Sequence, residues 1–273
     1  LKQERTENQH LIRLVSPKGN WNGNMKSSDT ALDAPVIVGP GRVGRSLAAA
    51  LPAAELRGRC DSVDDLSGRV VLLCVPDSEI GNVARRIGAS GAVPALAGHT
   101  SGATSLEALS DCGAEGRFSV HPLQTVPDGS TDLQGCPAAV AGDSGDALEF
   151  ARGMAAAAGM TAFEISETDR VAYHAAASIA SNFLVTVEQT AAEILGGISV
   201  ENPRQVLEPL VRRSLENWID RGSSALTGPI ARGDESTVEA HRQVLAERWP
   251  ELLDFYDSTA DRTRSVAMSA GTS

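Results

Sequence analysis

Gly39, Gly41 and Gly44 stand as G-x-G-x-x-G directly after the apolar run Pro35-Val36-Ile37-Val38 and at the opening of a helical pattern. In such a turn the first glycine permits the tight bend, the second lets backbone approach a pyrophosphate, and the third lets helix and strand pack closely. Unpaired amides at the helix start then hold the phosphates. The spacing predicts that Gly39, Pro40, Gly41, Arg42, Val43 and Gly44 cradle a dinucleotide. A glycine turn without a ligand is the plain alternative. A methyltransferase loop fits less well, because that loop is usually an acidic residue followed by G-x-G.

Further candidates follow from where ligands of a parallel sheet sit, over the carboxyl ends of its strands. An acidic residue that binds the adenosine ribose is expected about 20 positions after the glycines, and Asp61 lies at that distance. A carboxylate there favours NAD, whereas Arg57 and Arg59 could accept the 2′-phosphate of NADP; all three could equally be surface charges. Val75, Pro76 and Asp77 end the strand "RVVLLCV" beside the expected nicotinamide half. Thr100 and Ser101, in "GHTSG", could offer hydroxyls and amides to the cofactor or substrate, or could simply cap a helix.

Hydride transfer to a carbonyl or imine needs a proton donor, and the reverse reaction a base. No lysine follows Lys26, and neither Tyr173 nor Tyr256 belongs to a Y-x-x-x-K pair. Histidine remains, and it titrates near neutrality. His121 follows the strand "RFSV"; His174 begins a polar stripe with Ser178, Ser181 and Asn182 at three- and four-residue intervals on an otherwise small, apolar helix. Such a stripe is expected to line a pocket, because a buried polar face costs free energy unless it is hydrogen-bonded. Close helix packing around a satisfied core histidine is the alternative. Thr227 and Gly228, in "LTGPIARGD", could approach the same cleft, while Asp234 reads as a helix N-cap.

Positioning these groups takes an α/β architecture. Short apolar runs alternate with helical stretches from Pro35 to about Ser166, which predicts a Rossmann-type, doubly wound parallel sheet. Strands are expected at 35–38, 54–60, 69–75, within 92–97, 117–120, 138–142 and 161–165, and helices at 42–51, 78–87 and 145–158. From Glu167 the pattern becomes all helical: 168–195, 203–221 and 235–265. The expected division is therefore a flexible extension over 1–33, a dinucleotide-binding domain over 34–166 and a helical substrate and dimerisation domain over 167–273. Met25, just ahead of the first strand, is the expected natural start.

Composition narrows the class. Hydrophobic residues make up 42% and charged residues 22% of the 273 residues, an ordinary globular balance. A formal charge of −11 supplies no overall positive field for a nucleic acid. No apolar run is long enough for a membrane span or a signal peptide, so the cytoplasm is the expected location. Cys60, Cys74, Cys112 and Cys136 form no C-x-x-C pair and read as free thiols; the histidines show no metal-ligand spacing, and no metal is expected.

The ordered set "VGPGRVGRSLAAAL", "LLCVPDSEI", "GHTSG", "SVHPLQTV", "YHAAASIASNFLVTV" and "LTGPIARGD" resembles a family of oxidoreductases of unassigned substrate, in which a Rossmann-like domain precedes a helical domain of unknown function of the DUF2520 type. The resemblance spans about residues 34–265. More distantly the chain is similar to ketopantoate reductase, pyrroline-5-carboxylate reductase and prephenate dehydrogenase. The resemblance implies a carboxy-terminal domain like that of 6-phosphogluconate dehydrogenase, a homodimer formed through it, and an NADP- or NAD-linked activity. In ketopantoate reductase-like enzymes the first long helix of the second domain carries a catalytic lysine followed by asparagines. Here His174 holds the lysine position, Asn182 matches an asparagine and Ser178 replaces another. His121 resembles the histidine of the "HP" motif in prephenate dehydrogenase, which contacts the substrate hydroxyl.

The expected function is hydride transfer between a nicotinamide and a small, polar, carboxylate-bearing substrate, a 2-oxo acid, 2-hydroxy acid or cyclic imine. His174 or His121 would exchange the proton, with Asn182 orienting the substrate and Ser178, Thr227 and Gly228 lining its site. A dinucleotide-binding sensor that has lost the chemistry is the alternative.

Overall fold

The computed structural model describes residues 34–270. The expected extension over 1–33, and Met25 with it, lies outside them. The described chain falls into two units, one ending at Phe183 and the other running from Leu184.

The first unit is built on seven strands: β1 (Val36–Val38), β2 (Glu55–Arg57), β3 (Val70–Leu73), β4 (Leu96–His99), β5 (Gly116–Pro122), β6 (Pro137–Gly142) and β7 (Thr161–Glu164). They form one sheet in the order β2-β1-β3-β4-β5-β6-β7. Helices α1 (Arg42–Ala50), α2 (Ile80–Ala89) and α3 (Gly145–Ala157) connect them. Alternating side chains feed two cores. Ile37, Leu72, Phe118 and Val120 pack with Leu47 of α1 and with Ala147, Ala151 and Met154 of α3. Val36, Val38, Val71 and Leu73 pack on the other face with Ile80, Ala84 and Ile87 of α2. This is the doubly wound arrangement the sequence predicts.

One pairing departs from the expected parallel sheet. β6 runs antiparallel to β5, with Phe118 opposite Gly142 and Pro122 opposite Ala138. Fourteen residues, 123–136, join them without a helix or strand, and a parallel neighbour needs a crossover, usually helical, that this connection lacks. β5 is also longer than β4: the last β4 partner is His99, opposite Ser119. Val120, His121 and Pro122 therefore overrun the sheet on that side, paired only with β6.

The first unit continues through α4 (Arg170–Ser178) into a wider π-helical turn, Ile179–Phe183. The second unit holds α5 (Leu184–Gly197), α6 (Pro203–Arg221), the short α7 (Pro229–Arg232), α8 (Glu235–Arg248) and α9 (Leu253–Ala270). The single helix expected over 235–265 is two, because Pro250 cannot donate to the helix ladder and the chain breaks at Trp249. Asp234 is the N-cap of α8, accepting from the Thr237 amide at 3.2 Å. A 3-10 run at Leu106–Cys112, which the sequence reading does not anticipate, packs Leu106 and Leu109 under the sheet.

Candidate active site

The glycine turn shows three different demands. Gly39 has φ +115°, and a Cβ there would strike the Cys74 carbonyl. A Cβ on Gly44 would strike the Gly39 carbonyl and come within 3.1 Å of Cys74 Cβ. Both glycines are thus required by the fold itself. At Gly41 the only neighbour of such a Cβ is the Cys74 carbonyl at 4.0 Å, so the fold leaves space over this residue. Gly41 caps α1 with no side-chain hydrogen bond, and no acidic residue occupies the first turn. An uncapped helix start with open space above it fits a diphosphate. Pro40 and Arg42 are exposed at its rim, and Val43 is half-buried against the core.

β2 ends beside this turn, since the Gly39 amide donates to the Arg57 carbonyl at 3.0 Å. Arg57 is not available to a 2′-phosphate. It is buried, paired with both carboxylate oxygens of Asp65 at 2.6 and 2.7 Å and with Glu55 at 2.6 Å. Its guanidinium pulls the Asp65 carboxyl down to about 2. Arg59 is exposed, and its side chain makes no ion pair among the described residues. Asp61 is exposed too, and its carboxylate accepts from the Gly58 amide at 2.7 Å.

The overrun of β5 carries His121 past the end of β4 to meet α4. His121 Nδ1 lies 2.6 Å from the Tyr173 hydroxyl. The His174 ring stands edge-on to His121, centroids 6.0 Å apart. Both imidazoles converge on Gly102: a Cβ there would lie 2.7 Å from His174 Cδ2 and 2.9 Å from His121 Nε2. An open cleft of about 760 Å³ is lined by these two histidines, Tyr173, Ser178, Ser181, Asn182 and Arg42. The predicted polar stripe does face a pocket, and the π turn sets how Ser181 and Asn182 enter it. Burial holds His121 down at about 4, helped by His174 and Arg170 and opposed by Asp77. The sequence reading expects a histidine titrating near neutrality; here burial keeps the imidazole neutral at pH 7. Burial likewise raises the Tyr173 phenol to about 12.

Buried Arg170 is the centre of a polar frame. Arg170 donates to Ser119 Oγ at 2.8 Å, to the Ser101 carbonyl at 3.3 Å and to Glu167 at 2.9 Å. Glu167 in turn accepts from the Leu106 amide at 2.8 Å. The Ser101 hydroxyl donates to Asp77 at 2.8 Å and accepts from the Ala103 and Thr104 amides, so it serves the turn rather than a ligand. Thr100 is half-buried, its amide bonded to the Leu73 carbonyl at 3.1 Å; Val75 is half-buried and Pro76 exposed after β3. His99 is fully buried, and neither ring nitrogen makes a well-formed hydrogen bond among the described residues. Burial, then the charge of Arg170, holds it at about 4 against the pull of the Ser105 backbone, Glu167 and Asp77.

His121, His174, Ser178, Asn182 and Arg42 thus share one cleft. Thr227 and Gly228 belong to the second unit, where Gly228 (φ 144°) opens α7. Sequence reasoning missed Tyr173, Gly102 and Arg170. Gly102 closes the quoted motif "GHTSG", and Tyr173 stands next to His174, but only the fold brings either to His121. No group of three or more metal-ligating side chains occurs among the described residues, and Cys60, Cys74, Cys112 and Cys136 are free thiols. No described helix is long and apolar enough to cross a membrane.

No curated protein matches the sequence. A Bacteroides fragilis protein described as a "putative NADP oxidoreductase" shares the fold at 19% identity and TM-score 0.71, over 86% of this chain and 99% of that one. A Thermotoga maritima protein does so at 24% and 0.69, over 86% and 98%. Prephenate dehydrogenase from A. aeolicus, solved with hydroxyphenyl propionate and NAD+, is similar at 15% and 0.51, over 85% and 97%. At these identities the likeness is one of fold. The model of the domain of unknown function DUF2520 matches residues 136–263, which takes in β6, α3 and β7 as well as the helices up to α9. Residues 136–263 are thus similar to the DUF2520 domain, and they span the end of a Rossmann-like sheet and the helices that follow it.

Proposed function

We propose that this chain is an NAD(P)-dependent oxidoreductase acting on a small, polar, carboxylate-bearing substrate. One observation carries the reading: Arg42, the first residue of the helix behind the glycine turn, lines the same cleft as His121, His174 and Asn182. Gly41 and the amides opening α1 would hold the diphosphate, and the bound nicotinamide would supply or take the hydride. Arg42 is the one permanently charged side chain among the described residues that line the cleft, which suits a carboxylate. His121 and His174 would hold or accept the proton at the reacting oxygen or nitrogen, with Asn182 and Ser178 orienting the substrate. NADP is the proposed cofactor, with Arg59 toward its 2′-phosphate, while Asp61 would favour NAD. The relatives named for NADP and NAD+ support this reading.

Titration with NADPH and NADH, followed by a screen of 2-oxo acids and cyclic imines for cofactor oxidation, tests it. Micromolar binding of either nucleotide with turnover of one substrate class is expected; no binding at millimolar nucleotide overturns it. The absence of lysine after Lys26 favours the rival reading, a dinucleotide sensor, and tight binding without turnover would select that instead. A homodimer through the helical unit is part of the proposal. On α6, Val206, Leu210, Trp218 and Ile219 are 56%, 65%, 63% and 72% exposed, apolar area that a contact between copies would cover.

A further inference from the structure

We infer that Tyr173 is a positioning residue of this site: its hydroxyl donates to Nδ1 of His121 and fixes the imidazole as the tautomer whose Nε2 carries the proton. The two groups come from separate elements, β5 and α4, and meet at 2.6 Å with their rings close to perpendicular, 87° apart. Phe163 of β7 also stands edge-on to the phenol, centroids 5.9 Å apart. A phenol is the stronger donor and a neutral imidazole nitrogen the stronger acceptor, so the shared proton stays on the tyrosine oxygen. The directions in which burial moves the two groups agree with this. Nδ1 is then occupied, and the N–H of the ring is at Nε2, the edge that faces Gly102 beside His174. Four groups act on this imidazole: Tyr173, His174 and Arg170 from α4, and Asp77 from the turn after β3.

Its catalytic consequence rests on the reading of the cleft as an oxidoreductase site. A neutral imidazole with its Nε2–H fixed donates a hydrogen bond to a substrate oxygen or nitrogen as negative charge or basicity develops there, with no charged acid required. In the opposite tautomer the ring would present a bare nitrogen at the same point, so the tautomer decides whether His121 donates or accepts.

The test reads the ring nitrogens directly. In protein carrying 15N-histidine, with His121→Gln assigning the resonance, wild type should show a protonated Nε2 and an unprotonated Nδ1. Tyr173→Phe should populate the Nδ1–H form and move the His121 titration upward by about one pH unit. Where turnover is found, the same variant should lose at least about tenfold in kcat with KM within about twofold, because only the ring's tautomer has changed. A wild-type ring protonated on Nδ1 overturns the inference even if the variant fails to fold. An unchanged tautomer in a folded Tyr173→Phe overturns it too. A tautomer shift in a protein without turnover on any substrate upholds the Tyr173–His121 relation and removes the oxidoreductase reading.

Discussion

Arg170, 2% exposed, donates from Nη2 to the hydroxyl of Ser119, 51 residues earlier in the chain, and so ties the first turn of α4 to the middle of β5. The same guanidinium reaches Glu167 and the Ser101 carbonyl, so the helix that carries His174 is tied both to β5 and to the residues just after β4. Arg170→Met should therefore destabilise the fold. Glu167 can rehydrate, since its side chain is 40% exposed. Ser119 is fully buried and is left without its partner. The expected loss is about 2–3 kcal/mol by denaturant unfolding. A loss under about 0.5 kcal/mol would show the frame to be redundant.

Gly102→Ala tests whether the two imidazoles need the space that glycine leaves. The added methyl would sit within 3 Å of both rings, so at least one must move. Turnover should fall at least about tenfold while nucleotide affinity stays within about twofold, because the glycine turn is elsewhere. Unaltered turnover would detach the histidine pair from the chemistry.

Two glycines of the turn should separate cleanly. Gly44→Ala collides with backbone and should unfold the protein or lower its midpoint sharply. Gly41→Ala meets nothing closer than 4.0 Å and should fold normally, yet lose dinucleotide affinity by about tenfold or more. Full affinity in a folded Gly41→Ala would mean that the diphosphate does not lie over that residue.

How much of this was legible in the sequence depends on the range of each interaction. The seven strands follow from apolar runs of local origin, and the glycine turn from three residues within one turn of chain. The stripe of His174, Ser178, Ser181 and Asn182 follows from helical periodicity alone. Tyr173 and Arg170 escaped because their partners lie 50 to 70 residues away, and nothing local marks a phenol as bonded to a distant imidazole; Gly102 escaped because only the fold sets it against both His121 and His174. The reversed β6 left a trace, a helix-free connection over 123–136. Pro250 likewise signalled the break in the predicted helix over 235–265, against a polar and apolar pattern that runs on past it.

Acid should weaken the fold through two histidines. An unfolded imidazole takes up its proton near pH 6.5, whereas His99 and His121 stay neutral in the fold down to about 4. Unfolding between these limits therefore binds protons. The stability these groups contribute is fully present above pH 6.5 and is lost as pH falls toward 4. The slope is at most about 1.4 kcal/mol per pH unit for each histidine, and less for His121, which opens to the cleft. Denaturant midpoints at pH 7, 5.5 and 4.5 give the slope, and His99→Gln should roughly halve it. A flat profile between pH 7 and 5 would contradict the burial of both rings.

Trp218→Glu on α6 places a charge in the proposed contact between copies. Sedimentation should report a dimer for the parent protein and a monomer for the variant, with nucleotide binding kept. A monomeric parent protein would remove the dimer from the proposal.

Because β5 outruns β4, its edge beyond Ser119 has no strand partner on that side, and His121 and Pro122 of this overrun border the cleft. Main-chain polarity along such a margin does not depend on side-chain identity. Exchange of residue 121 would remove the proposed proton carrier and leave this ledge standing, whereas Pro122, with no amide hydrogen, ends it on an acceptor alone. The site can thus change its reagent without losing its rim.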